Sequence, residues 1–112
     1  ASDVYKRQNL PDGIKKVIFG VNFNQPVILP DSLEYVEFGS SFNQPVKLPP
    51  NIKRCGFGDD FNQPIDLPDS LESLTFGEKF SQPVKFPSYL KRLLISENYP
   101  YPRPYFVLIT YI

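Results

Sequence analysis

Few side chains in this chain of 112 residues are of a kind that does chemistry. There is no histidine and only one cysteine. A Ser-His-Asp arrangement, an imidazole general base and a zinc site on His or thiolate ligands all lack their parts. The adjacent carboxylates Asp59-Asp60 come nearest to an acid–base pair. The same two positions hold Val21-Asn22, Ser40-Ser41 and Glu78-Lys79 elsewhere, so they read as a variable turn. The glycines are scattered, which leaves no phosphate-cradling loop. What the chain offers instead is recognition. One row of side chains reads Lys16, Tyr35, Arg54, Ser73, Arg92 and a second reads Ile18, Glu37, Gly56, Thr75, Leu94. From these, Lys16, Tyr35, Glu37, Arg54, Thr75 and Arg92 make the candidate partner-binding face, since Tyr and Arg are favoured anchors at protein interfaces. The expectation is a protein that is not an enzyme and holds no cofactor and no metal.

Those rows exist because the chain repeats. Phe23-Asn24-Gln25-Pro26, Phe42-Asn43-Gln44-Pro45, Phe61-Asn62-Gln63-Pro64 and Phe80-Ser81-Gln82-Pro83 recur with a period of 19. A short fixed period means stacked coils, because one unit cannot bury its own apolar face. The coils run 10–28, 29–47, 48–66 and 67–85, with a degenerate fifth over 86–104. Within each, a segment such as Tyr35 to Phe38 alternates outward and inward, as a half-buried strand does. Pro or Gly interrupts every dozen residues between 10 and 87, so an ordinary helix does not fit. The predicted fold class is mostly β: a leucine-rich-repeat-like solenoid of about five coils, one parallel strand per coil, with little or no helix.

The columns down this stack separate core from surface. Ile14, Leu33, Ile52, Leu71 and Leu90 form one apolar column, and Val17, Val36, Cys55, Leu74 and Leu93 a second. Eight of the ten Phe fall in two more, Phe19, Phe38, Phe57, Phe76 and Phe23, Phe42, Phe61, Phe80, which predicts aromatic ladders. Gly20, Gly39, Gly58 and Gly77 close each strand, through either a positive φ or a close approach between coils. Pro30 is expected to preset the first central residue of a turn, with Asp31 as the second. Asn24, Asn43 and Asn62 recur at one depth, where an amide can bond the neighbouring coil's backbone. Lys15, Glu34, Lys53, Glu72 and Lys91 alternate in sign, predicting a ladder in which each charge sits between opposite ones. Ile-Lys in the first and third coils and Leu-Glu in the second and fourth hint at a super-repeat of 38 residues.

The string Leu-Pro-x-Ser-Leu-x-x-Leu-x-Phe-Gly-x-x-Phe-Asn-Gln-Pro resembles the FNIP repeat, a relative of leucine-rich repeats seen mainly in social amoebae, other protists and giant viruses. Residues 10–85 carry the likeness and 86–104 carry it weakly, on a coil shorter than the family's common form. The resemblance implies a leucine-rich-repeat-like solenoid used chiefly for protein–protein contact. Some members carry an F-box-like segment or a kinase ahead of the repeats.

The ends depart from the pattern. Residues 1–8 share nothing with the repeat and resemble the in-frame translation of a sequencing adapter, so a non-native or disordered leader is expected there. Native sequence would then begin near Asn9, in a fragment of a longer repeat protein. Residues 105–112 read as a terminal strand or truncated coil. With 12 Lys+Arg against 12 Asp+Glu, the chain has no bulk attraction for nucleic acid or an anionic membrane. Cys55, alone in an apolar column, reads as a buried thiol, and the lack of a disulfide framework favours a cytoplasmic setting. The expected partner is another protein, with no nucleic acid, no membrane and no small-molecule substrate. Two alternatives stay open: a purely structural spacer, and an extracellular glycan-binding repeat suggested by Tyr35, Tyr89 and Tyr101.

Overall fold

A computed structural model describes residues 8–104 and 107–112. Its eight strands are β1 Gln8–Asn9, β2 Lys16–Ile18, β3 Val27–Ile28, β4 Tyr35–Glu37, β5 Arg54–Gly56, β6 Ser73–Thr75, β7 Arg92–Ile95 and β8 Leu108–Tyr111, and no helix occurs among the described residues. Six of them form one parallel sheet in the order β2-β4-β5-β6-β7-β8, while β1 pairs with β3 apart from it. The register is the repeat itself: Lys16 lies against Tyr35, Tyr35 against Arg54, Arg54 against Ser73 and Ser73 against Arg92. β8 joins in the same sense, with Arg92 against Leu108. The leader expected over 1–8 lies outside the described residues, apart from Gln8, whose backbone pairs with Val27.

The strands are short, but their ladder extends beyond them. Phe38 N–H donates to Gly56 C=O at 2.8 Å, and both Glu34 and Tyr35 N–H donate to Lys15 C=O at 2.9 and 3.0 Å, a pattern repeated coil by coil. Beneath the sheet the four apolar columns pack as one core, with Leu33, Ile52, Leu71, Val36, Phe42 and Phe61 fully shielded from solvent. The phenylalanine columns interleave. Phe19, Phe38, Phe57 and Phe76 stack with ring centroids 4.9, 5.3 and 5.7 Å apart. Phe23, Phe42, Phe61, Phe80 and Tyr99 stack at 6.0, 6.1, 5.9 and 5.8 Å. Within a coil the two columns touch, as Phe57 and Phe61 do at 3.9 Å.

Those spacings give the stack a shape. Strands in a sheet lie ~4.8 Å apart, whereas the rings farther from the sheet lie about 6 Å apart. On the far side, no backbone hydrogen bond joins Val46-Lys47, Ile65-Asp66 or Val84-Lys85 to a neighbouring coil. Grooves open there, one of about 680 Å³ between Val27–Leu29 and Leu48–Pro50. Each coil is therefore a wedge whose narrow edge is the sheet, and the sheet's open face lies on the inside of the curve.

One turn expectation shifts by a residue, and the other resolves to one of its two alternatives. The turn bond runs from Leu33 N–H to Pro30 C=O at 3.1 Å, and the same bond joins Ile52 to Pro49, Leu71 to Pro68 and Leu90 to Pro87. Proline thus stands at the first corner, supplying only its carbonyl, and Asp31 and Ser32 are the two central residues. At Gly39, Gly58 and Gly77 the need is close approach and not positive φ, which occurs only at Gly13 among the described residues. A Cβ on Gly58 would lie 2.6 Å from Gly39 O and 2.6 Å from Ser40 Cα.

Polar rungs run beside the aromatic core. Asn24 Oδ1 accepts from Asn43 N–H at 2.9 Å and from Gln44 Nε2 at 3.1 Å. Asn43 and Asn62 repeat the arrangement towards Asn62-Gln63 and Ser81-Gln82. The series ends for a chemical reason: the next position is Pro100, which has no N–H to satisfy, so Ser81 need not be Asn. Tyr99 O–H donates instead to Gln82 C=O at 2.7 Å, and Arg103 ties the fifth coil's turn together by donating to the carbonyls of Glu97 and Tyr99 at 3.1 and 2.8 Å. Asn43→Ala should cost ~1 kcal/mol, a single lost acceptor at a site water can reach. Ser81→Ala should fall within ~0.5 kcal/mol of the parent. Urea unfolding of both proteins checks the pair.

Candidate protein-binding face

The open face of the sheet is built from the outward positions of five consecutive coils. Strand alternation sends Val36, Cys55 and Leu74 into the core and Tyr35, Glu37, Arg54, Ser73 and Thr75 out. Because the register is an unshifted 19, each outward residue stands directly beside its equivalent. Lys16, Arg54 and Arg92 are exposed and Tyr35 is half-buried. Lys16 Nζ lies 4.7 Å from the centre of the Tyr35 ring, a cation–π contact. Tyr35 thus carries Lys16 over its ring and has Arg54 beside it in register on the next strand.

Tyr35, Glu37, Arg54 and Thr75 border a shallow depression of about 130 Å³ that also takes in Gly56 and Ser73. Gly56 supplies the floor. A Cβ there would meet Glu37 Cγ at 3.5 Å, so the Glu37 side chain leans across the space the glycine leaves. Lys16 and Arg92 lie outside this depression, one strand beyond Tyr35 and one beyond Ser73. The six singled-out residues therefore share one face, four of them around a common hollow. Gly56 and Ser73 were not among them. Gly56 breaks a column that otherwise carries side chains, which was the available signal. Ile18, 58% exposed, and Leu108, 65% exposed, add apolar surface at the two ends.

Other candidates are accounted for by coil-to-coil contacts. Asp59 Oδ1 accepts from Glu78 N–H at 3.3 Å and Asp60 pairs with Lys79 Nζ at 3.0 Å. The charge ladder is not continuous: Lys15 pairs with Glu34 at 3.6 Å and Lys91 with Glu72 at 3.7 Å. Lys53 has no ion pair among the described residues, because Glu34 and Glu72 each turn to their other neighbour. Such exposed pairs contribute only ~0.2–1 kcal/mol each. Tyr35 stands on the open face, Tyr89 lines the groove beside these charges, and Tyr101 packs edge-on against Tyr99. The three tyrosines do not share a face. No group of His, Cys, Asp or Glu among the described residues could hold a metal ion, and no helix among them is long and apolar enough to cross a membrane.

Cys55 lies under Arg54 and Gly56, fully within the core, and burial pushes its thiol well above the usual range. A buried neutral thiol is inert. Native protein at mildly alkaline pH should resist a thiol reagent that labels it at once in denaturant. Labelling kinetics give the check, and rapid native labelling would mean that the central coils open.

The curved parallel sheet with one strand per coil defines a leucine-rich-repeat-like solenoid. The FNIP Repeat family profile matches residues 6–41 and 42–79, and the chain belongs to that family. Among solved structures it is similar to one described as CroV588, a novel circular LRR protein, at 30% identity and a TM-score of 0.57 over 80% of this chain. The match spans only 18% of that protein's length. Comparison with curated proteins finds no match.

Proposed function

We propose that the protein is an interaction scaffold and not an enzyme, and that it binds another protein through the open face of its sheet. The observation that carries this reading is the contrast between columns. Positions facing the core or the next coil repeat almost unchanged, whereas the open face carries a different residue on nearly every strand. Side chains that a stack needs for its own cohesion recur, so variation marks the surface free to serve something else. Tyr35 and Arg54 are the residue types that anchor protein interfaces, and they border a hollow with Glu37 and Thr75. Repeat solenoids present such extended inner surfaces as binding sites. A single buried thiol and the absence of disulfides among the described residues support a cytoplasmic setting.

The test is selection of binders from a displayed peptide library, followed by measurement of each against Tyr35→Ala and Arg54→Glu. Both variants alter exposed or half-buried positions and should unfold at the parental denaturant concentration. Loss of the selected binders on both supports this face. Binders that keep their affinity on both would place the interaction elsewhere.

A further inference from the structure

The charged groups on the open face follow a simple order. Along the first row, cations alternate with uncharged residues: Lys16, Tyr35, Arg54, Ser73, Arg92. In the second row the only charge is Glu37, followed by Gly56, Thr75 and Leu94. Lys16, Arg54 and Arg92 make no ion pair among the described residues, unlike Lys15 and Lys91 beside them. The three cationic side chains are therefore rooted on every second strand, ~9.6 Å apart at the backbone at ~4.8 Å per strand. The Lys16 ammonium, which rests 4.7 Å from the Tyr35 ring centre, must swing back over its own strand to keep that interval.

That interval selects a ligand geometry. An extended polypeptide in the polyproline II form advances ~3.1 Å per residue, about 9.3 Å for three residues. A β-strand advances ~3.3 Å per residue, about 10 Å for three. In the polyproline II form, with three residues per turn, every third side chain returns to the same side and meets a cation; in a β-strand, whose side chains alternate sides, it does not. A helix at 1.5 Å per residue offers about 9 Å after six residues, at which point the side chain has rotated away, and about 10.5 Å after seven. Glu37 refines the match: rooted on the strand between the first two cations and leaning towards Gly56, it would repel a carboxylate set down short of the second cation. We infer that the open face takes an extended acidic segment running across the strands, with a carboxylate at every third residue opposite Lys16, Arg54 and Arg92. A segment of seven residues suffices, since the cations span ~19 Å. Attraction comes from the cations, and Glu37 supplies the repulsion that rejects an unbroken acidic run, the usual second half of specificity. This inference rests on the reading of the open face as the binding surface.

The probe is a fluorescent heptapeptide with Glu at its first, fourth and seventh positions and Ser or Ala between. Two others of the same composition carry the three Glu contiguously or at alternate positions, and a single-stranded oligonucleotide serves as a different polyanion. Anisotropy titration at low salt should give the evenly spaced peptide an affinity at least about tenfold above the contiguous one. Arg54→Glu should weaken it by at least about tenfold, and Glu37→Gln should recover most of the contiguous peptide's deficit. Unfolding midpoints equal to the parent's confirm that the variants are folded. Equal binding of the three peptides, binding of the oligonucleotide as tight as the spaced peptide, or indifference to Arg54→Glu would overturn the inference. Library binders that are lost on Tyr35→Ala and Arg54→Glu yet lack spaced acids would overturn it while leaving the face as the binding surface. Library binders indifferent to both substitutions would remove both.

Discussion

Phe57→Ala should lower the free energy of unfolding by ~3–5 kcal/mol, the range for truncating a buried phenylalanine. Phe57 is almost wholly buried and its ring meets Phe38 at 5.3 Å, Phe61 at 3.9 Å and Phe76 at 5.7 Å. Deleting it opens a void that three parallel rings border at once. Those rings cannot close it without breaking their own stacking with the coils beyond. A domain of this size holds only ~5–15 kcal/mol in total, so the variant should stand near the limit of folding. Phe57→Leu, which refills most of the volume, should recover more than half of the loss. Phe19→Ala is the internal comparison: Phe19 is only half-buried and stacks on the single neighbouring coil, so its truncation should cost clearly less. Equilibrium denaturation followed by circular dichroism gives the numbers. A cost below ~1 kcal/mol at Phe57 would mean that the two aromatic columns do not form a continuous core.

Gly58→Ala should be strongly destabilising, whereas Gly20→Ala, the same substitution at an equivalent position, should not be destabilising at all. At Gly58 the added methyl would lie 2.6 Å from a carbonyl oxygen and 2.6 Å from a Cα of the preceding coil. Both are backbone atoms, so no flexible side chain can yield and the coils themselves must part. The expected cost is at least ~3 kcal/mol, at or beyond the upper end of ordinary overpacking. At Gly20 nothing among the described residues lies within 4 Å and φ is not positive. Alanine there restricts the unfolded chain without straining the folded one and should be neutral or stabilising by ~0.4–1 kcal/mol. Thermal and urea unfolding of the two proteins decide the matter. If both were destabilised alike, the glycines would be needed for conformation and not for approach.

What could be read from the residues, and what could not, follows from repetition. The four core columns, the strand in each coil and the asparagine rungs recur four or five times, and each recurrence fixes the pattern further. Single events were out of reach. Arg103 ties the fifth coil's turn together through carbonyls at Glu97 and Tyr99, but one arginine among alternating prolines carries no signal of that role. The turn at Pro30 shifted by one corner because Pro-Asp-Ser suits two placements and only the bond to Leu33 N–H chooses between them. Gly39, Gly58 and Gly77 fit a left-handed turn and a close approach equally well, since lacking a Cβ serves both. The pairing of Lys15 with Glu34 and Lys91 with Glu72, leaving Lys53 aside, depends on which way each carboxylate rotates. On the open face, outward rows could be assigned from alternation, whereas the hollow around Gly56 needed the third dimension.

Alternating charge on alternate coils also sets a rule for how such a stack changes length. Removal of one coil, residues 48–66, would keep every core column in register but bring Glu34 against Glu72. Removal of two, residues 29–66, would set Lys15 against Glu72 and leave the alternation whole. Even coils also tie back to odd ones through Ser32 and Ser70, which donate to the carbonyls of Ile14 and Ile52 at 2.8 and 2.6 Å. Loss or gain of coils in steps of two therefore keeps the charge alternation that a single step breaks, a difference of ~0.2–1 kcal/mol per exposed pair.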